Sequence, residues 1–332
     1  MKIHFPRRSR GQPSAQAKRQ HKKELAAFCD AIRQIESGLD FKVSSRGWCY
    51  ILEEHGLRKG DFDAAQRLIN DCRKSGDLPI DICALDEGRA TACLVKINGT
   101  TPEEEAEDWA DYVRNDAYLS YRPIAFWEEL DVYLEMTVEK IDLVGLFEPV
   151  CSEFHVPLTN VSGWNDINRR AEIMRRFAYW EMRDKRCVLL HCGDHDPGGL
   201  HISDFLRSNF ADLTGAVGWL PDDLKIDRFG LNADFIRKHR LTWIDNLETG
   251  SGKRLDDPRH NDHYKSYVQS YLEEFGARKV EANALVVRAD AGRALCRRAI
   301  LKYVPESAVA RYERKLAAAR RQMQRHLQKL LA

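Results

Sequence analysis

The spacing of apolar residues predicts that the first part of the chain is helical. Apolar side chains recur at helical spacing within residues 24–36, 46–52 and 61–75, which is the pattern of helices with one buried face. A turn containing glycine and proline leads into a short extended run over 80–85. Three small helices and then a β segment are the order of a winged-helix module, which commonly places a helix on DNA but elsewhere serves only for protein interactions. We therefore predict a winged-helix-like domain over 24–128.

From residue 131 onward, short apolar runs alternate with amphipathic segments. This alternation predicts an α/β fold with a mainly parallel sheet, in which functional residues collect at the carboxyl ends of the strands. The predicted strands span 132–138, 156–161, 186–192 and 224–231, and the helices associated with them span 141–154, 165–183 and 200–213. Two further helices are predicted outside this region, an acidic one over 100–113 and a basic one over 306–331.

The strongest candidate for a site is the acidic turn that ends the third predicted strand. Asp194 and Asp196 are two residues apart, so they point the same way if the strand geometry continues that far. Glu139 follows the first predicted strand, and neighbouring strands lie ~4.8 Å apart, so the three carboxylates converge if these strands are neighbours. Carboxylate oxygens suit a hard cation such as Mg²⁺. The alternative is a polar surface turn in which an aspartate caps the following helix.

The overall composition is that expected of a soluble cytoplasmic protein. The 332 residues, 43% of them hydrophobic and 31% charged, leave room for two domains with a sizeable core. No apolar run approaches ~20 residues and no apolar signal core opens the chain, so neither a membrane span nor secretion is expected. Nine cysteines without a CxxC pair fit a reducing cytoplasm better than a disulfide framework or a zinc site.

Positive charge is concentrated at both ends of the chain, although the net charge is only +1. Residues 1–23 contain eight lysines and arginines and no acid, and their prolines and glycine predict a flexible basic arm. The last predicted segment, 304–332, is a basic helix with apolar residues along one side. Basic ends on a near-neutral body suit a protein that binds a polyanion, but solvated termini that only maintain solubility have the same pattern.

Short motifs in the second part of the chain resemble those of a known family. Val-Glu-Lys at 138–140 and Asp-His-Asp-Pro-Gly-Gly at 194–199 resemble the V-E-K and D-x-D-P-x-G motifs of the Toprim domain. These motifs belong to the A subunit of topoisomerase VI, a type IIB topoisomerase, and to its relative, the meiotic double-strand-break transesterase. Ser-Gly-Trp at 162–164, with Arg169, resembles the intervening G-x-P-x-x-x-T-R stretch less closely, and residues 281–285 resemble the late A-E-x-x-A-L helix. The resemblance implies a Rossmann-like Toprim domain over 129–303.

A second match lies in the predicted winged-helix-like domain. The family carries its nucleophilic tyrosine there, four residues after an arginine, and Arg46 and Tyr50 stand at that spacing on one face of the predicted helix. Cys49 replaces the aromatic residue that usually precedes the tyrosine. The resemblance thus implies that Tyr50 attacks a DNA phosphodiester and forms a 5′-phosphotyrosyl link, while Arg46 stabilises the phenolate and holds the phosphate.

The resemblance also implies a cofactor and partners. Glu139, Asp194 and Asp196 are expected to hold Mg²⁺, as one ion or two, with Mn²⁺ as a substitute. The basic residues expected to position the DNA backbone are Lys140, Arg169 and Arg170. In the family the tyrosine of one subunit faces the metal of the other, which implies a homodimer acting on double-stranded DNA. A separate ATPase subunit and a nucleoid-associated, cytoplasmic location are further expectations.

The sequence leaves two other functions open. A Toprim nuclease would hydrolyse DNA with metal-activated water, like the nuclease subunit of Wadjet-type plasmid-defence systems, and Tyr50 would then be a core or DNA-contacting residue. A non-catalytic DNA-binding dimer is the third interpretation, but it does not explain three acids at strand ends. The sequence assigns no role to Glu281, or to His195, which points away from Asp194 and Asp196 if the strand continues.

Overall fold

The structure is a computed structural model that describes most of the chain. The described residues are 3–6, 14–84, 93–95, 97–161, 167–248 and 254–331.

A four-stranded parallel sheet forms the centre of the second part of the chain. Its strands are β1 (Val132–Val138), β2 (Leu158–Asn160), β3 (Arg186–Cys192) and β4 (Lys225–Gly230). They lie in the order β2-β1-β3-β4, and every neighbouring pair is parallel. The predicted α/β class and parallel sheet are therefore confirmed, with each strand lying inside its predicted range.

Helices precede, cover and follow this sheet. In chain order they are α1 (Ala15–Glu36), α2 (Ser45–Glu54), α3 (Phe62–Ser75), α4 (Pro102–Asn115), α5 (Ile141–Glu153), α6 (Ile167–Glu181), α7 (Pro197–Leu200), α8 (Ile202–Ala211), α9 (Thr214–Val217), α10 (Ala233–His239), α11 (Ser266–Phe275), α12 (Ala289–Leu301) and α13 (Glu306–Leu330). Short 3₁₀ segments span Lys59–Asp61, Ile80–Ile82, Ala117–Ser120, Phe126–Glu129 and Ala282–Arg288. Within the described ranges, no helix has both the length and the apolar character needed to cross a membrane.

The two inner strands are buried along almost their whole length. Every residue of β1 and all but the first of β3 are buried, which is why both read as nearly continuous apolar runs. Helices α5 and α12 contact each other, and so do α6 and α8, and each pair also contacts the sheet. Val138 pairs with Cys192, so β1 and β3 end level with each other. The residues that follow them therefore emerge side by side at one edge of the sheet.

The first helix is longer than its apolar pattern predicts. It begins at Ala15, where the hydroxyl of Ser14 accepts a hydrogen bond from the Ala17 N–H at 3.2 Å. Residues 15–23 were predicted as part of a flexible arm, and this prediction is wrong for them. A good N-cap and a run of alanine, lysine and glutamine favour helix even where no face is buried.

The next two helices lie close to their predicted places. The hydroxyl of Ser44 caps α2 by accepting a hydrogen bond from Gly47 N–H at 3.0 Å. Gly76 caps the C-terminus of helix α3, and its φ of 81° is a backbone conformation that glycine adopts without a steric penalty. Ile80–Ile82 is a 3₁₀ turn and not the predicted extended run. The described residues of 24–128 thus contain helices and turns but no strand, and the wing of a winged helix is not among them.

The helical part packs directly against the α/β part. Helix α2 lies against the Ala282–Arg288 segment, and buried side chains of both parts belong to one continuous hydrophobic core. The buried Asp142, in the first turn of α5, accepts hydrogen bonds from the backbone N–H of Ser44 and from its hydroxyl. A β-carbon at Gly47 would come within 3.0 Å of that carboxylate, so the contact requires glycine there. This docking places α2 beside the edge of the sheet where β1 and β3 end.

One buried ion pair fastens α6 to the sheet. Glu135, in the middle of β1, has no exposed surface, and its carboxylate accepts two hydrogen bonds from Arg176 at 2.8 and 2.7 Å. The hydroxyl of Tyr133 donates a third hydrogen bond to it at 2.9 Å. Burial raises the pKa of Glu135, and Arg176 opposes that rise.

Replacing Arg176 by methionine is expected to lower the free energy of unfolding by about 2 kcal/mol, because a buried carboxylate then lacks its cation. The loss is smaller than for a fully enclosed pair, since 37% of the Arg176 side chain is exposed. Because the pKa of Glu135 is raised, its carboxyl takes up a proton as the pH falls, so the deficit should be smaller at about pH 5 than at about pH 8. Urea unfolding at both pH values measures it. Arg175→Met, at the exposed neighbouring position, is the control, and equal losses in both variants would contradict the prediction.

Candidate active site

Two of the predicted acidic residues meet where β1 and β3 end. The backbone N–H of Asp194 donates a hydrogen bond to Glu139 Oε2 at 2.9 Å. The predicted convergence of Glu139 and Asp194 required β1 and β3 to be neighbouring strands, and they are. Asp194 is 5% exposed, and its Oδ1 accepts a hydrogen bond from the Ala282 N–H at 2.8 Å. The turn is therefore held from two sides, by Glu139 and by the segment that begins at Ala282.

Lys140 joins the two carboxylates. Its ammonium lies 3.0 Å from Glu139 Oε1 and 2.9 Å from Asp194 Oδ2. Burial and then the charge of Glu139 raise the pKa of Asp194, whereas Lys140 opposes this. For Glu139, burial is outweighed by Lys140 and by the Asp194 N–H, and its pKa falls below the usual range. Lys140, predicted to contact DNA, thus stands where a cation would bridge Glu139 and Asp194.

Asp196 has a different local role. Its Oδ1 accepts a hydrogen bond from the Gly199 N–H at 2.6 Å, so it caps the short helix α7. This is the arrangement foreseen as the alternative for the acidic turn. In the part of the chain that the structure describes, no three histidine, cysteine, aspartate or glutamate side chains are arranged to hold a metal ion. A cation shared by all three predicted ligands would have to draw Asp196 from its cap and displace or join Lys140.

The surroundings of the turn nevertheless have donor atoms that suit a cation. A β-carbon at Gly193 would lie 2.8 Å from both Glu139 Oε2 and His191 Nε2, so only glycine leaves this space open. His191 is buried, its Nδ1 lies 3.0 Å from the Thr137 hydroxyl, and its Nε2 has no hydrogen-bond partner among the described atoms. Burial lowers the pKa of His191 to about 4, so the ring is neutral at neutral pH. Carboxylate oxygens beside a neutral imidazole fit Mg²⁺ or Mn²⁺ by their chemistry.

Arg228 supports the acidic turn from β4, and the sequence interpretation missed it. Its half-buried guanidinium donates hydrogen bonds to the backbone oxygens of Gly199 at 2.6 Å, Leu231 at 2.5 Å and Asp194 at 3.2 Å. Burial lowers the pKa of Arg228, and neighbouring acids oppose that shift. No local pattern in the sequence marks this residue, because its role depends on three backbone oxygens that come together only in the fold.

Tyr50 and Arg46 meet a carboxylate whose role the sequence left open. The Tyr50 hydroxyl donates a hydrogen bond to Glu281 Oε2 at 2.5 Å, and Arg46 Nη2 lies 3.4 Å from the same oxygen. Tyr50 is 1% exposed and packs edge-on against Phe62. Burial and then the charge of Glu281 raise the pKa of Tyr50 well above its usual range. At neutral pH the phenol therefore keeps its proton and acts as a donor.

Glu281 also connects the tyrosine to the acidic turn. The next residue, Ala282, donates its N–H to Asp194, so one peptide unit separates the partner of Tyr50 from the partner of Asp194. The candidate nucleophile and the acidic residues therefore lie together within a single chain. The sequence could not indicate that Tyr50 and Glu281 are in contact, because they are 231 residues apart.

Lys59 is a second residue that sequence reasoning missed. Its ammonium lies 4.9 Å from the centre of the Tyr50 ring and 3.7 Å from Glu53 Oε2. Burial lowers the pKa of Lys59, while Glu53 and Glu281 oppose this. The tyrosine is thus flanked by cations, with Lys59 over its ring and Arg46 beside Glu281.

The two arginines predicted to hold DNA do not lie in this cluster. Arg169, at the start of α6, pairs with Glu172 at 2.9 Å, and its side chain is 56% exposed. Arg170 donates a hydrogen bond to the backbone oxygen of Asn209 at 2.8 Å, which ties α6 to the end of α8. The Ser-Gly-Trp motif at 162–164 lies outside the described residues.

His195 is a core residue. Its ring centre lies 4.7 Å from that of Phe275 and 5.4 Å from that of Trp243, and its Nδ1 is 3.1 Å from the Leu231 backbone oxygen. Burial lowers its pKa to about 4. The expectation that it points away from the two aspartates agrees with this aromatic environment, on which its neutral ring packs.

Comparison with known proteins adds nothing to this geometry: no family model matches the chain, and no curated protein or solved structure is significantly similar to it.

Proposed function

We propose that this protein cleaves DNA in a Mg²⁺-dependent transesterification, with Tyr50 as the nucleophile and a 5′-phosphotyrosyl link as the product. The observation that carries the proposal is the hydrogen-bonded path from Tyr50 through Glu281 and Ala282 to Asp194. It joins the tyrosine and arginine of one motif to the acidic residues of the other. The resemblance of both motifs to the Toprim family, noted from the sequence, is consistent with such a combined site.

Each residue of the site has its own role in the proposed reaction. Glu139, Asp194 and Asp196 would hold Mg²⁺, which when bound supplies positive charge to the phosphate that is attacked. Lys140 neutralises the carboxylates and adds a cation beside the same phosphate. Arg46 lies near the Tyr50 hydroxyl, where it favours the developing negative charge. Arg228 holds the backbone of the turn, so the carboxylates keep their positions.

Substrate and partners follow from the same proposal. Double-stranded DNA is the substrate, and cutting both strands requires two copies of the site, which a homodimer supplies. The basic helix α13 and the basic residues before α1 offer positive charge for the DNA backbone. Strand passage would need a separate ATPase subunit, and cleavage alone would not. A cytoplasmic, nucleoid-associated location is part of this proposal.

A second candidate, a hydrolytic nuclease that uses the same acidic site, is favoured by the state of Tyr50. The side chain is almost completely buried, and its hydroxyl is already engaged with Glu281. In this alternative the acidic residues would hold a metal ion that would activate water for attack on the phosphate, and Tyr50 would only hold Glu281 in place. The acidic residues have the same function in both candidates, so the tyrosine distinguishes them.

The test is whether cleavage leaves DNA covalently attached to the protein. Supercoiled plasmid is incubated with the protein and Mg²⁺, the protein is denatured, and DNA that remains bound to it is measured. We expect an adduct with the wild type and none with Tyr50→Phe, which loses the hydroxyl but keeps the ring against Phe62. Tyr264→Phe, at a position that is 73% exposed, should behave as the wild type.

The outcomes separate the two candidates. Cleavage without an adduct, unchanged in Tyr50→Phe, would establish the hydrolytic nuclease and reject the transesterase. Absence of any Mg²⁺-dependent or Mn²⁺-dependent cleavage would reject both.

A further inference from the structure

Glu281 is the polar group in direct contact with the candidate nucleophile. Its Oε2 accepts the Tyr50 hydroxyl hydrogen at 2.5 Å, the short distance of a charge-assisted hydrogen bond. Both residues come from the same chain, and 17% of the Glu281 side chain is exposed. The pair therefore lies just beneath the surface, at the side where Arg46 is 33% exposed.

The charges around Glu281 hold it in the ionised form. Arg46 and Lys59 approach from the side of the helical part, Lys140 from the end of β1, and Lys279 from its own segment. Burial raises the pKa of Glu281, but the Tyr50 hydrogen bond, Arg46, Lys140 and Lys279 outweigh it, and the pKa falls below its usual range. Burial and the negative charges of Glu281 and Asp194 disfavour the phenolate form of Tyr50. A tyrosine in this setting loses its proton only as the bond to phosphorus forms.

We propose that Glu281 takes the proton from the Tyr50 hydroxyl of the same chain as Tyr50 attacks the phosphodiester. The inference rests on the proposed transesterification and assigns its base. In the step, the proton passes from Tyr50 Oη to Glu281 Oε2 and a bond forms between Oη and phosphorus. The bond between phosphorus and the 3′ oxygen breaks, and that oxygen takes a proton from water. In the reverse reaction Glu281 returns the proton, so the same residue serves religation.

The same-chain geometry differs from the arrangement that the family resemblance implies, in which the tyrosine of one subunit faces the metal of the other. Here the contacts from Tyr50 to Glu281 and from Ala282 to Asp194 are all internal to one chain. One chain therefore contains the nucleophile, its proton acceptor and the acidic turn, and a dimer would carry two complete sites.

The first experiment measures adduct formation in single turnover, from about pH 6 to about pH 10, with Glu281→Gln. Glutamine keeps an oxygen that accepts the Tyr50 hydrogen bond but binds a proton far more weakly. We expect the rate near pH 7 to fall roughly 100-fold with little change in DNA affinity, because a positioned base contributes about that much or more. The rate of the variant should also rise with pH, as hydroxide replaces the missing base, so that its deficit shrinks.

Two further variants serve as controls for this experiment. Glu153→Gln removes a carboxylate that lies outside the site and pairs with Arg297, and it should retain the rate and pH profile of the wild type. Glu281→Asp keeps a carboxylate but draws it back from Tyr50, so it should react at an intermediate rate with a wild-type pH profile. This variant keeps the test decisive if Glu281→Gln does not fold, because an inert aspartate variant with wild-type stability would overturn the proposal.

The second experiment mixes subunits by co-expressing Glu281→Gln with Tyr50→Phe. If Glu281 acts on the tyrosine of its own chain, the mixture forms no more adduct than Glu281→Gln alone. If the mixture regains adduct formation, Glu281 acts from the partner chain, and the same-chain proposal is wrong.

The possible failures are distinguishable. A Glu281→Gln protein with the rate and pH profile of the wild type would overturn this inference and leave the transesterase proposal standing. A wild type that cleaves without forming any adduct would overturn both.

Discussion

Replacing Asp194 by asparagine is expected to reduce Mg²⁺-dependent DNA cleavage by roughly 100-fold or more while leaving the stability of the fold nearly unchanged. Asparagine has nearly the same shape, and its amide oxygen can still accept the Ala282 N–H. It lacks the negative charge that a cation needs, so the metal site loses a ligand. Burial and Glu139 raise the pKa of Asp194, which means that its ionised form is disfavoured in the folded protein. Removing that charge relieves this cost, but it also takes away the carboxylate that lies 2.9 Å from the Lys140 ammonium. The two effects oppose each other, so we expect little net change in stability.

The combination of lost activity and retained stability is what marks a functional group, because a purely structural residue would lose both. Plasmid cleavage at saturating Mg²⁺ and thermal unfolding, measured on the same preparations, provide the two readouts. Asp234→Asn is the control, since the side chain of Asp234 is 96% exposed and lies outside the site. Full cleavage activity in Asp194→Asn would show that the acidic turn is not the metal site.

Replacing Gly199 by alanine is expected to destabilise the protein by about 3 kcal/mol or more and to abolish cleavage with it. A β-carbon at this position would lie 2.0 Å from the backbone oxygen of Asp194. That oxygen belongs to the acidic turn and accepts a hydrogen bond from Arg228, so the clash cannot be relieved by rotating a side chain. The turn or α7 has to move, and the Asp196 cap on the Gly199 N–H is lost with it.

Gly198→Ala is the matched control for this effect. The nearest atom to a β-carbon at Gly198 is Asp196 Oδ1 at 3.6 Å, which is an ordinary contact. The two glycines are neighbours in the same short helix, so helix propensity affects both in the same way. Urea unfolding should show a large loss for Gly199→Ala and a small change for Gly198→Ala. If the two variants were equally stable, the backbone oxygen of Asp194 could not lie as close to Gly199 as the structure places it.

The strands and their order along the chain were predictable because the signal is local. The runs at 132–138 and 186–192 are buried on both faces, with seven consecutive buried positions in the first and six in the second, so both read as nearly continuous apolar segments. Helix ends were less predictable where no buried face contributes, as at Ala15, where a serine cap and helix propensity extend α1. The prediction of an extended run over 80–85 was wrong at its start, since Ile80–Ile82 forms a 3₁₀ turn.

The candidate site was predictable only in part. Glu139 and Asp194 were found from their positions after apolar runs, and strand pairing brings them together. Asp196 was grouped with them by its spacing, but the chain turns after Asp194 and uses Asp196 as a helix cap. Arg169 and Arg170 were chosen as neighbours of a motif, and in the fold they contact Glu172 and Asn209. Their role in DNA binding stays a prediction.

The sequence by itself determined the α/β alternation, the acids at two strand ends and the Arg46–Tyr50 pair on one helix, because each depends on residues a few positions apart. The tertiary structure decided which side chains meet. It brought Glu281 to Tyr50 across 231 residues, set Lys140 between Glu139 and Asp194, and placed Arg228 beneath the turn. Such contacts depend on how helices pack on a sheet and on the burial of charges that must find partners, and no short stretch of sequence contains that information.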